Sequence, residues 1–395
     1  MNHRRVRLHR WSGDEGLGPG AHTGTAVRDG VLVTASAAGV RHYTDPHRGG
    51  PPVAYDEATW TSPEVTPGFT FTALVASWNA RTPAGTWLEV ALQVRTGAGW
   101  SRWYVMGRWA ETDEDIAPTS VPGQSDRQAT VQTDLLTLPD TAPGSSYRLR
   151  ATLLRRSGTE VSPTVSLLAC VASHLPTGGT EVSPDRNGTA GTVLDVPAFS
   201  QRLHLGEYPQ WAGGGESWCS PTSTSMVLSH WGRGPSCADY AWVDRRLPDR
   251  FVPYAARHTF DHAYGAPGNW SFNAAYAARF GTRAFVTRLR SLAEAELFVA
   301  AGIPLVVGVA FTRDQLDGAG YDTSGHLAVL VGFDDDGDVV INDPASHGVP
   351  SNDEVRATFD RDDFERAWMR QSGGITYVIH PPDVSLPPAP AEANW

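Results

Sequence analysis

The first half of the chain alternates hydrophobic and polar residues with a period of two, which is the pattern of β-strands that bury one face. The clearest run extends from Leu88 to Val94, where every second residue is Leu or Val. Similar short runs, bounded by Pro, Gly or Asp, recur from residue 30 to residue 176, and no convincing helical pattern interrupts them. The pattern predicts an all-β sandwich over residues 30–176, preceded by an N-terminal extension over residues 1–29.

Tryptophan is dense in this β-rich region. The rings are those of Trp60, Trp78, Trp87, Trp100, Trp103 and Trp109. Sheets commonly bury large rings, so we expect most of them in the core, whereas rings exposed on one face would form a platform for a glycan or a peptide. Counting by two from Leu88 places Trp87 among the outward-facing residues. We therefore expect an exposed Trp87 ring that the linker or the second domain covers, that binds a ligand, or that has no role.

The pattern changes after a stretch rich in Gly, Thr and Ser at residues 177–193, which is typical of an interdomain linker. Beyond it, helical periodicity and short apolar runs are mixed. The helical segments are 222–231, 273–280 and 291–301, and the buried strands are 304–311, 326–333 and 338–342. This mixture predicts a separate α+β domain over residues 194–380. Residues 381–395 hold many prolines and few apolar groups, so we expect a disordered Pro-rich tail.

Composition agrees with a two-domain globular protein, because 395 residues exceed the usual length of one domain. The 32 basic residues are all Arg and face 43 acidic residues, which leaves a net charge of −11. This balance argues against a nucleic-acid partner, which requires a basic surface. Neither a secretory signal nor an apolar run of membrane-spanning length is present, so we expect a cytoplasmic protein, or a secreted one if the start is misplaced.

Cysteine is rare, with three residues at positions 170, 219 and 237. Three cysteines are too few for a disulfide scaffold in a chain of this length, and an odd number leaves at least one thiol free. Cys219 lies in the sequence Trp218-Cys219-Ser220-Pro221, directly before an apolar periodic stretch. Since Pro221 is tolerated only in the first turn of a helix, the helix must begin beside Cys219. A thiol at that position feels the positive end of the helix dipole, which favours the thiolate. Cys237 follows Gly-Pro-Ser and is expected to be structural.

A predicted hairpin supplies a base and a carboxylate. The strands at 325–333 and 338–342 are joined by an acidic turn that ends in Gly. With a four-residue loop, Phe333 pairs with Asp338, and Asp343 becomes the diagonal neighbour of His326 on the same face. An order of Cys, then His, then Asp is an arrangement for nucleophilic catalysis, which also requires a donor to the oxyanion. Gln201, upstream of the cysteine, is a candidate for that donor.

Four ordered blocks of the second half resemble the C39-like cysteine peptidase family, a branch of the papain-like superfamily. The blocks are 196–201, the helix start at 218–221, the Gly325-His326 strand and 342–345. The resemblance covers residues 194 to about 380 and implies a papain-like fold that cleaves a peptide or other amide substrate. By similarity Cys219 is the nucleophile, His326 the general base and acid, Asp343 its orienting partner and Gln201 the oxyanion donor. The resemblance implies no cofactor and no metal.

This sequence departs from the family pattern at two places. The residue after the nucleophile is usually Gly and here is Ser220, from which we expect a narrower approach of the substrate carbonyl to the helix start. The gap between Gln201 and Cys219 is longer than typical, and Gln210 within it is the alternative oxyanion donor. The alternative function is therefore a binding protein with a degenerate papain-like domain, whose Trp-rich sandwich docks a glycan or another ligand or packs on the second domain.

A zinc site is a weaker alternative. His258 and His262 lie four residues apart, which places both on one face if a helix continues through them. Position 259 is Thr, where a zinc hydrolase helix carries Glu, and Pro253 and Gly265 crowd the segment. These departures from the zinc-hydrolase pattern make a metal site at this segment the weaker hypothesis.

Overall fold

A computed structural model of the chain describes residues 4–176 and 182–395. The chain divides into two compact units. The N-terminal unit contains Arg7–His174 and a later segment, Phe260–Gly265. The C-terminal unit contains residues 4–6, the described residues of 175–259, and Ala266–Trp395. In the C-terminal unit the described strands of the sheet pair in antiparallel fashion.

The described residues of the N-terminal unit form two sheets of seven strands each, with one short helix, α1 (Gly13–Leu17). The first sheet consists of β1 (Arg5–Ser12), β3 (Thr25–Arg28), β4 (Val31–Thr34), β7 (Ala73–Arg81), β11 (Thr130–Gln132), β12 (Leu135–Thr137) and β14 (Thr164–His174), in the order β11-β12-β7-β14-β4-β3 with β1 also on β14. The second consists of β2 (Ala21–Thr23), β5 (Gly39–Tyr43), β6 (Val53–Thr61), β8 (Thr86–Thr96), β9 (Gly99–Trp100), β10 (Tyr104–Trp109) and β13 (Ser146–Arg156), in the order β10-β8-β13-β6-β2 with β5 on β6 and β9 on β8.

The period-two pattern explains how these sheets build a core. Leu88, Val90 and Leu92 of β8 are fully buried, as the alternation predicts. A direct link also joins the two sheets, since the Tyr147 hydroxyl of β13 donates to the Cys170 carbonyl of β14 over 3.3 Å. The N-terminal region is therefore mostly β-sheet, as expected.

The expectation of an exposed Trp87 is wrong. Its ring is fully buried, because β8 is covered on both faces at this end. Tyr43 and Tyr55 contact the ring, with centroid distances of 4.9 and 5.6 Å, and Ile116 belongs to the same buried cluster. The alternation assigned Trp87 correctly to the second face of the strand, but that face is not the solvent face here.

The N-terminal boundary also differs from the expected one. Described residues before position 30 do not form an extension, because β1, β2, β3 and α1 lie among them. Val6 and Leu17 are fully buried. The indole of Trp60 in β6 donates to the Leu17 carbonyl over 2.7 Å, which ties this segment to the second sheet.

In the described part of the C-terminal unit, helices pack on a third seven-stranded sheet. The helices are α2 (Cys219–His230), α3 (Phe251–His258), α4 (Trp270–Ala278), α5 (Leu292–Ala300) and α6 (Arg361–Gln371). The strands are β15 (Thr192–Val193), β16 (Arg283–Arg288), β17 (Leu305–Phe311), β18 (Thr323–Phe333), β19 (Val339–Asn342), β20 (Arg356–Phe359) and β21 (Ile375–His380), in the order β16-β21-β17-β18-β19-β20 with β15 on β18. Short 3-10 turns occupy Gln201–His204, Ser346–Gly348 and Asn352–Glu354. The α+β content matches the prediction.

Two segments expected to be loose pack on this unit instead. Of the predicted linker 177–193, residues 177–181 lie outside the described residues, whereas β15 pairs with β18. The predicted disordered tail 381–395 ends in a buried Trp395, which is 4% exposed and contacts the Phe298 ring at 5.1 Å. Across the described residues, no helix combines the length and the apolar character needed to cross a membrane.

Candidate active site

Cys219 is the first residue of α2, as the position of Pro221 predicts. The helix is almost entirely buried and packs against β18 and β17, so its start is fixed by the core. Trp218, which caps the helix, is fully buried, and its indole donates to the Trp211 carbonyl over 2.6 Å. Cys219 itself is half-buried. The helix therefore places the Cys219 thiol near the N–H groups of its first turn.

The glycine-rich loop before the helix places Gln201 beside the cysteine segment. Gly214 and Gly215 both have positive φ, and a Cβ on Gly215 would lie 2.5 Å from the Gln201 carbonyl oxygen. The Gln201 amide Nε2 donates to the Glu216 carbonyl over 2.9 Å, and the Gln201 backbone N–H donates to the Pro344 carbonyl over 2.9 Å. Gln201 thus connects the loop that leads to Cys219 with the segment that follows Asp343.

His326 and Asp343 meet although the predicted hairpin register is wrong at its closed end. Phe333 pairs with Val339 rather than with Asp338. A bulge between Leu330 and Gly332 then shifts the register by one, and Leu330 pairs with Ile341 as a four-residue loop predicts. His326 Nε2 and Asp343 Oδ1 lie 2.6 Å apart, and both side chains are buried.

The Cys219 thiol lies in the electrostatic environment of His326. The charge of His326, hydrogen bonding to its side chain, and hydrogen bonding to the Leu327 and Ser220 backbone all act to lower the pKa of Cys219. Burial opposes ionisation of the thiol, but the charge of His326 and these hydrogen bonds outweigh it and lower the pKa of Cys219.

The pKa of the His326 imidazole is shifted in the opposite direction, upward. Burial alone lowers the pKa of His326, but the negative charges of Asp343 and Cys219 and their hydrogen bonds outweigh it and raise that pKa to about 10. Burial likewise opposes the charge of Asp343, and His326, the Tyr321 hydroxyl and the Ala345 N–H together lower the pKa of Asp343. These shifts favour the charged form of each group, which is the thiolate of Cys219, the imidazolium of His326 and the carboxylate of Asp343.

The two departures noted in the sequence do not block this arrangement. The Ser220 hydroxyl lies 3.0 Å from the Tyr377 hydroxyl of β21 and is buried, so it points into the core rather than into the approach to Cys219. Gln210, the alternative oxyanion donor, is exposed in a turn of the long segment before the cysteine. Gln201, in contrast, is buried, and its amide is hydrogen-bonded to the Glu216 carbonyl, three residues before Cys219.

The remaining candidates lie in other surroundings. Cys170 is fully buried, and that burial raises the pKa of its thiol, whereas Cys237 is exposed beside the Tyr240 hydroxyl. His258 is the last residue of α3, and His262 belongs to the N-terminal unit, so the two histidines do not share a helix face. Within the described ranges, 4–176 and 182–395, no group of three metal-ligating side chains comes together.

Sequence reasoning missed one residue of the site. The Tyr321 hydroxyl donates to Asp343 Oδ2 over 2.7 Å. Tyr321 lies in the irregular segment just before β18, where no periodic pattern fixes the direction of a side chain. A count along the chain therefore gave no signal for this contact.

Comparison with known proteins gives two matches to family models. Residues 7–173 match the peptidase C39 N-terminal domain, and residues 193–375 match the peptidase C39 like family. No curated protein matches the chain.

Solved structures show only distant likeness. A structure titled as carbohydrate-binding modules of the β-sandwich superfamily has 12% identity and a TM-score of 0.18 over 40% of this chain and 54% of its own. A GH26-CBM35 β-(1,4)-mannanase from Podospora anserina has 9% identity and a TM-score of 0.18, over 57% and 48% of the two chains. An exo-β-agarase has 12% identity and a TM-score of 0.17, over 56% and 30%. The chain thus spans about half or less of each.

The two family matches fall on the two halves of the chain, one on the β-rich region and one on the region that carries Cys219, His326 and Asp343. The second match agrees with the resemblance that the four sequence blocks carry. Residues 193–375 of this chain belong to the peptidase C39-like family.

Proposed function

We propose that this protein is a cysteine-dependent hydrolase that cleaves a peptide or another amide bond, with a β-sandwich followed by a papain-like catalytic domain. The observation that supports it best is the buried contact of His326 with Asp343, together with the charge of His326, which lowers the pKa of Cys219. Cys219 sits at a helix start, where backbone N–H groups favour a thiolate. The family match of residues 193–375 supports the same reaction class.

In the proposed mechanism the Cys219 thiolate attacks the carbonyl carbon of the substrate. The oxyanion that forms receives hydrogen bonds from the helix start and from the Gln201 amide, whose Nε2 uses one N–H on Glu216 and has a second to donate. The His326 imidazolium gives its proton to the leaving amine as the C–N bond breaks, which leaves a thioester on Cys219. Neutral His326 then takes a proton from water, the resulting hydroxide cleaves the thioester, and thiolate and imidazolium return. Asp343 keeps the imidazole oriented throughout.

The alternative, a binding protein with a degenerate papain-like domain, has less support. Its sequence features are Ser220 and the long segment before Cys219. Ser220 faces Tyr377, and Gln201 remains tied to that segment through Glu216, so neither feature removes a group the reaction needs. The perturbed pKa values of Cys219 and His326 also favour a reactive site over an inert one.

The test is cleavage of a mixed peptide library, read by mass spectrometry, by the full chain and by Cys219→Ala. Cys237→Ala, the same substitution at an exposed thiol, is the matched control. We expect Cys219→Ala to fold, as judged by circular dichroism, and to lose cleavage, while Cys237→Ala retains it. Equal cleavage by Cys219→Ala and the wild type would contradict the proposal, and the cleaved sequences would define the substrate class.

A further inference from the structure

The carboxylate of Asp343 is held at both oxygens. Its Oδ1 accepts from His326 Nε2 over 2.6 Å and from the Ala345 N–H over 2.8 Å. Its Oδ2 accepts from the Tyr321 hydroxyl over 2.7 Å. Because the two oxygens face different donors, rotation of the carboxylate would break the tyrosine contact together with the histidine contact.

The ring of Tyr321 also contacts the imidazole. The ring centroids of Tyr321 and His326 are 5.7 Å apart at an interplanar angle of 78°, which is an edge-to-face contact. The Phe311 ring also contacts the tyrosine ring, with a centroid distance of 5.2 Å. Tyr321 therefore contacts both members of the His326–Asp343 pair and is itself held by the end of β17.

The segment that carries Tyr321 is closed at its ends. It connects β17 to β18, and the Arg313 backbone N–H donates to the Asp322 carboxylate over 2.7 Å, with an ion pair of the same two side chains at 3.4 Å. Gly318 and Gly320 have φ of +83° and +79°, which lets the chain turn sharply just before Tyr321. The Arg313–Asp322 contacts and the glycine turn together place Tyr321 beside Asp343, although Tyr321 lies outside the regular strands.

We propose, on the basis of the proposed function, that Tyr321 is a positioning residue: its hydroxyl holds Asp343 in the rotamer that faces His326 Nε2, which keeps the His326 ring in a fixed orientation beside Cys219. The surroundings are consistent with a hydroxyl that stays protonated. Burial raises the pKa of Tyr321, the charges of Asp343 and Cys219 raise it further, and Arg202 opposes them more weakly. The tyrosine thus acts only as a donor to Asp343.

The test is Tyr321→Phe, which retains the ring and removes one oxygen. We expect kcat to fall roughly 10- to 100-fold, the range for one hydrogen bond to a charged group, with KM within about twofold. We also expect the His326 imidazole to titrate at a lower pH by nuclear magnetic resonance, because the Asp343 carboxylate holds it less firmly. Tyr104→Phe is the matched control, since the Tyr104 hydroxyl donates to Asp126 over the same 2.7 Å in the N-terminal unit, and it should change neither reading.

A double-mutant cycle with Asp343→Ala tests whether the effect passes through the carboxylate. With the alkylation rate of Cys219 as the readout, Tyr321→Phe should slow the wild type and add nothing in the Asp343→Ala background. Equal effects in both backgrounds, or an unchanged His326 titration in Tyr321→Phe, would overturn the inference. If the wild type cleaves no amide but Tyr321→Phe still shifts the His326 titration, the positioning role stands and the proposed function fails.

Discussion

His326 Nε2 and Asp343 Oδ1 lie 2.6 Å apart, with side chains that are 7% and 2% exposed. A buried imidazole would ordinarily stay neutral, because burial penalises its charge. The carboxylate, together with Cys219, reverses that preference and raises the pKa of His326 to about 10. The contact with Asp343 therefore fixes the direction of the imidazole and, together with Cys219, favours its charged form.

Replacing Asp343 by Asn tests the contact. An amide retains the shape but not the charge, so the pKa of His326 should fall toward its ordinary value and the imidazole should lose its fixed orientation. We expect kcat/KM to fall about 10²- to 10⁴-fold while the variant folds. Asp336→Asn, the same substitution at an exposed acid of the β18–β19 turn, should leave kcat/KM unchanged. Comparable losses in both variants would show that the effect is not specific to the buried contact.

The pH dependence of alkylation tests the Cys219–His326 pair without a substrate. The lowered pKa of Cys219 means that the thiolate persists below the range in which an ordinary thiol protonates. In a Cys237→Ser background, the rate with iodoacetamide should stay high below pH 7, whereas an ordinary cysteine titrates near pH ~8.5. His326→Gln in that background should move the titration upward, because the positive charge beside the sulfur is lost. A single titration near ~8.5 in both variants is the outcome that contradicts the ion pair.

More of the candidate site than of its surroundings could be predicted from the sequence. The position of Pro221 located the helix start at Cys219, and counting across the hairpin placed Asp343 near His326, because regular elements fix the direction of side chains. The hairpin count was off by one at its turn, and the bulge after Leu330 restored the register before His326. Tyr321 could not be found in this way, since the direction of a loop side chain depends on contacts distant in the chain.

The alternation predicts on which face of a strand a residue lies. It does not predict how completely other residues cover that face. The alternation placed Trp87 opposite Leu88, but no pattern in the chain says that Tyr43 and Tyr55 cover that second face. The same limit explains the C-terminal segment. Its composition is typical of disorder, yet its last residue, Trp395, packs against Phe298. One large buried ring outweighed the local composition.

The loop before the nucleophile allows a test of how Gln201 is positioned. Gly215 has φ of +41°, and a Cβ there would lie 2.5 Å from the Gln201 carbonyl oxygen and 2.6 Å from the His204 carbonyl carbon. Gly213 also has positive φ, +78°, but a Cβ there meets nothing within 4 Å. Gly213→Ala should therefore cost only the backbone strain, about 1 kcal/mol, and retain activity. Gly215→Ala should cost more and lower kcat, because the Gln201 turn must move.

Denaturant unfolding and steady-state kinetics of the two glycine variants separate these effects. Equal losses of unfolding free energy would mean that only the positive φ matters at this loop. A larger loss in Gly215→Ala without any change in kcat would show that the packing does not position the Gln201 amide for the reaction.

The C-terminal segment allows a test of its docking. Trp395 is 4% exposed, contacts the Phe298 ring, and donates from its indole to the Pro387 carbonyl over 2.9 Å. Burial of this size predicts that Trp395→Ala lowers the free energy of unfolding of the C-terminal unit by about 3–5 kcal/mol. Trp242→Ala, at a ring that is 38% exposed in the same unit, should cost less because fewer of its contacts exclude water. Denaturant titration followed by circular dichroism gives both values, and a Trp395→Ala variant as stable as the wild type would mean that the segment does not dock.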